Sequence, residues 1–250
     1  MTTPRRHASV PHADRHDAFP EVPCGTAVLL LAGSSGRVES QRADLLARHG
    51  ARVRAIRWFG GMGQRPAPHE VPIELFIDQL DLLRRDADRV AIFGTSVVWA
   101  GLTDGDWSSH WTSRGTPLPA VSFDPSWVSS TVPPEYRSLY EASIDRAPDA
   151  AAAAAIRTEY ITGVVVLIAG GDDRVWPSGR FAAEISARRS AHGRETTVVA
   201  HPAAGHRMVL PGETVAAGGV TMARGGSPSA DAELGALAWP QIVHALDLRV

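Results

Sequence analysis

The chain of 250 residues contains no lysine and no asparagine, and its 25 basic residues are all arginine. Without lysine, a Schiff-base mechanism, a phosphate-binding P-loop and a lysine general base are excluded. A single cysteine, Cys24, leaves no intrachain disulfide and points to a reducing, cytoplasmic setting. Neither sign of charge predominates. The 25 basic side chains are balanced by 27 acidic ones, and the net charge of −2 argues against a nucleic-acid partner or an anionic membrane. Long apolar runs are missing as well: the densest, at 27–32 and 164–169, are strand-sized and too short to span a bilayer. No apolar stretch follows Arg5 and Arg6, so a secretory signal is not expected. What remains, 44% hydrophobic and 21% charged residues, is the ordinary mix of a folded domain.

Residues 1–22 are polar, carry Pro4, Pro11 and Pro20, and read as a disordered tail. His7, His12 and His16 lie there without an apolar stripe that would order them on a helix, so neither a metal site nor a cofactor is expected. Residues 23–250 read as one domain. A buried strand at 27–32 runs into Gly33-Ser34-Ser35-Gly36, and a helix from Ser40 ends at Gly50. A strand over 51–58 follows, then a helix with Ile73, Phe76, Ile77, Leu80 and Leu83 on one face, then a strand over 89–93. The alternation resumes with a strand at 164–169, a helix over 178–192 closed by Gly193, a strand at 196–200 and a helix over 231–246 bent or interrupted at Pro240. This order predicts an α/β fold, a mostly parallel sheet with helices on both faces. Between the two runs, residues 97–150 form an insertion holding Trp99, Trp107, Trp111 and Trp127 among six prolines. It reads either as a loop tucked over the core or as an apolar lid over a pocket.

Three short motifs follow predicted strands, where open parallel sheets place their sites. They are Gly94-Thr95-Ser96, Gly171-Asp172-Asp173 and Gly205-His206. Their order, serine then acid then histidine, is that of an α/β-hydrolase triad. A serine hydroxyl is a poor nucleophile until a histidine takes its proton, and the acid holds the imidazole in the tautomer that does so. The glycines around Ser34 let a backbone N–H approach a substrate. With the N–H of Val97, the residue after the nucleophile, Ser34 would complete an oxyanion hole. Each motif alone has a plainer reading: Asp173 as the cap of the next helix, His206 as a core histidine, 33–36 as an ordinary turn.

Taken together the motifs resemble the C-terminal catalytic domain of the acyl-CoA thioester hydrolase and bile acid-CoA:amino acid N-acyltransferase family. The similar stretches are Leu30-Leu31-Ala32-Gly33-Ser34-Ser35-Gly36, Trp58-Phe59-Gly60-Gly61, Ile73-Glu74-Leu75-Phe76 and Gly94-Thr95-Ser96. Gly171-Asp172-Asp173 with Trp176-Pro177-Ser178, Gly205-His206, and Arg224-Gly225-Gly226-Ser227-Pro228 leading to Trp239-Pro240 continue the series. The resemblance implies an α/β-hydrolase-like fold with Ser96 as nucleophile, Asp173 as acid and His206 as base. The reaction it implies is acyl transfer from a small-molecule thioester or ester to water, or to an amine in an acyltransferase.

The chain departs from the family pattern at one point. The family continues Gly-Thr-Ser-Lys-Gly and then a helix, whereas here Val97-Val98-Trp99-Ala100-Gly101 follows Ser96. Ser96-Val97-Val98-Trp99 itself resembles a segment the family carries after its next strand. The expectation is a fold lacking the nucleophile helix and the following strand, roughly 25–30 residues or one βαβ increment. Two functions follow. One is a serine hydrolase working through a covalent acyl-enzyme. The other is a degenerate or repurposed relative that binds a small apolar ligand or a partner without covalent catalysis, its uncovered sheet closed by a partner chain or by self-association into a homo-oligomer.

Overall fold

The apolar run that opens at Thr26 becomes the central strand of a parallel sheet, and the elements around it alternate between strand and helix. The structure, a computed structural model, describes residues 10–33, 35–94, 102–103, 108–214 and 221–249. Along the chain lie β1 (Arg15–Ala18), β2 (Thr26–Leu31), α1 (Ser40–Arg48), β3 (Arg52–Ile56), β4 (Val71–Pro72), α2 (Glu74–Leu83) and β5 (Arg89–Gly94). They are followed by β6 (Leu102–Thr103), β7 (Trp111–Ser113), β8 (Thr116–Pro117), β9 (Val121–Ser122), α3 (Arg137–Arg146) and α4 (Pro148–Ala154). The chain closes with β10 (Val166–Gly170), α5 (Ser178–Ala191), β11 (Thr197–His201) and α6 (Pro228–Leu246). The class is α/β. Within the stretch read from sequence as one domain, residues cluster into two compact units. The first holds the described residues of 10–94, 108–118 and 246–249, and the second those of 102–103 and 119–245.

In the first unit β2 lies between β3 and β5, parallel to both, and β1 closes the β3 edge in antiparallel register from Arg15↔Ile56 to Ala18↔Val53. Strands buried on both faces need an unbroken apolar sequence, and Ala27, Val28, Leu29 and Leu30 are all buried. The helix α1 contributes buried Ala43, Leu45 and Leu46. Trp58 anchors a second apolar cluster. Its indole N–H donates to the Ala32 carbonyl at 2.8 Å, and Trp111 stacks on it with ring centroids 5.2 Å apart. Trp111, from the stretch read as an insertion, is therefore a core residue of this unit; Trp99 and Trp107 lie outside the described residues.

One expectation is corrected here. Residues 12–18, within the stretch assigned from sequence to a disordered tail, form a 3-10 turn and the strand β1. What holds β1 is polar. Arg54 forks onto Asp17 with bonds of 2.6 and 3.2 Å, and the His16 ring meets Asp44 at 2.7 Å. A strand secured by backbone pairing and ion pairs carries no apolar alternation to reveal it.

In the second unit β10 and β11 run parallel, in register from Val166↔Thr197 to Gly170↔His201. Both strands thus end at the same level, so the loops that leave them emerge at one edge. Strand pairing is mostly parallel, as expected from sequence, with β1 an antiparallel edge; among the described residues, however, it is divided between sheets, and β5 and β10 belong to separate ones. A core of Val121, Ile144, Ala151, Ala154, Val175, Trp176 and Phe181 packs α3, α4 and α5 together. The alanine run at 150–155 supplies the small residues of α4. In the last turn of α5 the Arg189 side chain is 1% exposed. Its guanidinium donates to Thr196 Oγ1 and to the carbonyls of Thr158, Ile161 and Glu195 at 2.7–3.0 Å, fastening two loops to the helix end. The helix α6 runs through Pro240 without interruption. Among the described residues no helix is long and apolar enough to cross a membrane.

Candidate active site

The edge where β10 and β11 end carries a carboxylate and an imidazole in contact. The chain leaves β10 at Gly170 and turns at once, with the Gly171 N–H donating to the His201 carbonyl and the Asp172 N–H to the Ala204 carbonyl. This turn buries Asp173 to 2% exposure. A carboxylate at that depth needs a full set of donors, and Asp173 has them. Oδ1 accepts the Val175 N–H at 2.8 Å and the Trp176 N–H at 3.3 Å, while Oδ2 accepts the Ser178 hydroxyl at 2.7 Å. His206 Nδ1 completes the set at 3.1 Å from Oδ2. Because the carboxylate only accepts, it selects the imidazole tautomer protonated at Nδ1. Nε2 is then the nitrogen with a lone pair to receive a proton.

The imidazole is packed as well as bonded. The Trp176 ring meets it edge to face, centroids 4.6 Å apart at 77°. Tyr140 packs edge to face on Trp176 in turn, with ring centroids 6.1 Å apart. Burial, and then the negative charge of Asp173, push the Tyr140 phenol up to about 12. It therefore stays a neutral, apolar wall. Aromatic packing on the imidazole keeps solvent off it and strengthens the Asp173–His206 attraction.

Two further carboxylates flank the pair. Asp172 accepts the Gly226 N–H at 2.8 Å and pairs with Arg174, and these partners hold it below the usual carboxylate range. Burial lifts Asp231 above that range, against the opposing pull of the Gly205 N–H that it accepts at 2.7 Å. Among the described residues no three His, Cys, Asp or Glu side chains converge as metal ligands.

Of the residues expected at the site, the structure brings Asp173 and His206 together, whereas Ser96, Ser34 and Val97 lie outside the described residues. Sequence reasoning missed two contributors. The sequence places Ser178 at a helix start and in a family-similar stretch without assigning it a role, although a hydroxyl opening a helix five residues beyond a buried acid is placed to reach back to it. Asp231 sits 26 residues from the Gly205 amide that it holds, and no local pattern announces it.

A model of the family described as BAAT / Acyl-CoA thioester hydrolase C terminal matches residues 114–247. The matched stretch contains Asp173, His206 and the 224–226 turn, and it begins beyond Ser96. No curated protein matches the chain.

Proposed function

The chain belongs to the BAAT / acyl-CoA thioester hydrolase C-terminal family, and from that premise we propose that it cleaves a small-molecule acyl thioester or ester through a covalent acyl-serine. The observation that carries this reading is the Asp173 carboxylate, saturated by donors of which one is the His206 imidazole. A buried acid that orients a histidine is what serine nucleophiles require. Ser96 Oγ attacks the acyl carbonyl as His206 Nε2 takes the hydroxyl proton. The backbone N–H groups of Ser34 and Val97 hold the oxyanion. The thiol or alcohol leaves with the proton from His206. Water then attacks the acyl-serine as His206 accepts its proton, and His206 returns that proton to Ser96 Oγ as the carboxylic acid departs; an amine in place of water yields an amide. Asp173 keeps the imidazole oriented and stabilises its protonated form in both halves.

A second reading has its own support. Val97 and Val98 follow Ser96 with no glycine two residues on, and β5 and β10 fall in separate sheets, as a missing helix and strand would leave them. On this reading the protein is a non-catalytic binder of an apolar ligand or partner.

Labelling with a fluorophosphonate followed by intact-mass analysis separates the two. The hydrolase reading expects a stoichiometric adduct on Ser96, lost in Ser96→Ala and His206→Ala, together with hydrolysis of an acyl thioester. A folded protein that takes no adduct and turns over no thioester establishes the second reading.

A further inference from the structure

The Asp173 and His206 loops touch directly, through the Asp172 N–H to the Ala204 carbonyl and the Asp173–His206 bond itself. A third segment, the turn of Arg224, Gly225 and Gly226 that leads into α6, braces both of them. The Arg224 carbonyl accepts the His206 N–H at 3.0 Å and the Arg174 N–H at 3.4 Å, so one oxygen bridges the two loops. Two carboxylates close the arrangement from opposite sides. Asp172, beside the acid, receives the Gly226 N–H, and Asp231, in the first turn of α6, receives the Gly205 N–H next to the histidine. Asp231 is itself fixed by helix geometry. Its N–H donates to the Ser227 carbonyl at 2.9 Å, and the Ser227 hydroxyl caps the helix by accepting the Ala230 N–H.

The fit leaves no room for side chains. A Cβ on Gly225, which sits at φ +68°, would overlap the Asp172 carbonyl oxygen, and a Cβ on Gly205 would overlap the Gly225 carbonyl. Contact this close fixes backbone against backbone, and backbone position is what aims the imidazole.

We propose that the segment 224–231 is the positioning clasp of the acid–histidine pair, with Asp231 the positioning residue that sets the His206 loop through the Gly205 N–H. This rests on the reading of His206 as the general base. Asp231 acts through Gly205 and needs no contact with substrate. Its oxygen, more than its charge, performs the task, because the bond to be kept is a single N–H···O. Asp172 anchors the opposite end of the clasp to the acid loop, so a shift of α6 would be felt at Asp173 and His206 together.

The test compares Asp231→Ala, which removes the acceptor, with Asp231→Asn, which keeps an oxygen in place and removes the charge. Two readouts are followed in the full-length protein: kcat and KM for an acyl thioester, and the NMR signal of the His206 Nδ1 proton bound to Asp173. Asp231→Ala is expected to lose on the order of 100-fold in kcat, the penalty of an ångström-scale misplacement, with KM nearly unchanged and the Nδ1 proton signal broadened or lost. Asp231→Asn is expected to restore both. Wild-type values in Asp231→Ala, or an Asp231→Asn protein as impaired as Asp231→Ala, would overturn the proposal. Should Asp231→Ala fail to fold, hydrogen exchange of the Gly205 amide in the unmodified protein still decides: strong protection is expected, and exchange at the rate of an unstructured amide refutes the clasp. If the unmodified protein has no thioesterase activity, the hydrolase reading fails on that measurement alone, and the imidazole signal continues to test the clasp.

Discussion

The strands β2 and β10 are both parallel, both apolar and both end near glycine, yet they are held in different ways. β2 has a neighbour on each side and is buried over five of its six residues. Among the described residues β10 pairs with β11 alone, and it is fully buried only at Ala169 and Gly170. Around β2 position follows from burial, which is non-directional and tolerates small displacements. In the second unit, the loops beyond β10 and β11 are placed by directional bonds to Asp172, Asp173 and Asp231. Sheet burial supplies stability, and the polar clasp supplies aim. Mutations in the two regions should therefore fail in different assays.

The largest separation is expected from His206→Ala. Activity should fall on the order of 10⁴-fold in an esterase or thioesterase assay, while the urea midpoint stays near that of the unmodified protein. A large drop in the midpoint would break the contrast. Next in size, Leu29→Ala at the centre of β2 should cost about 3 kcal/mol by urea denaturation. Under native conditions the folded fraction should keep its rate per active molecule. A smaller effect is expected from Ser178→Ala, which leaves Asp173 Oδ2 with the imidazole as its remaining partner. About a tenfold loss in kcat, equivalent to about 1.4 kcal/mol, should be measurable by steady-state kinetics.

The mildest prediction concerns Tyr140. Its phenol keeps its proton in the folded protein up to about 12, against 10.0 when unburied. Between those values the unfolded chain releases a proton that the native chain retains, so stability falls as pH rises through the interval. Tyr140→Phe should flatten that alkaline decline in thermal unfolding and remove the most alkaline phenolate transition from a spectrophotometric titration. Neutral-pH activity should change little.

How much could be read in advance follows the same division. The runs at β2, β10 and β11, the amphipathic face of α2 and the helix α5 were legible, because burial leaves a periodic trace in sequence. The convergence of Asp173 and His206 was legible through motif order after strands. β1 was not, since Arg15, His16 and Asp17 are polar, and His16 and Asp17 find their partners Asp44 and Arg54 only in tertiary structure. Nor was Asp231: a carboxylate in a first helical turn reads as a dipole complement, and nothing local ties it to an amide 26 residues away. The core position of Trp111 was equally hidden, because a tryptophan among prolines looks the same in a lid as against another indole.

The guanidinium buried at the end of α5 bears on how the molecule could be re-engineered. An all-arginine protein offers no side-chain amine for coupling or immobilisation, and a surface position such as Arg84, exposed and paired with Asp81 three residues before it, is a natural place to introduce one. Position 189 is not interchangeable with it. Four oxygens arranged around a planar fork cannot all be met by an ammonium with three donors. A lysine-for-arginine redesign would be permissive at exposed, singly paired surface positions and restricted where the guanidinium forks, as at the interior Arg189 and at Arg54 on Asp17.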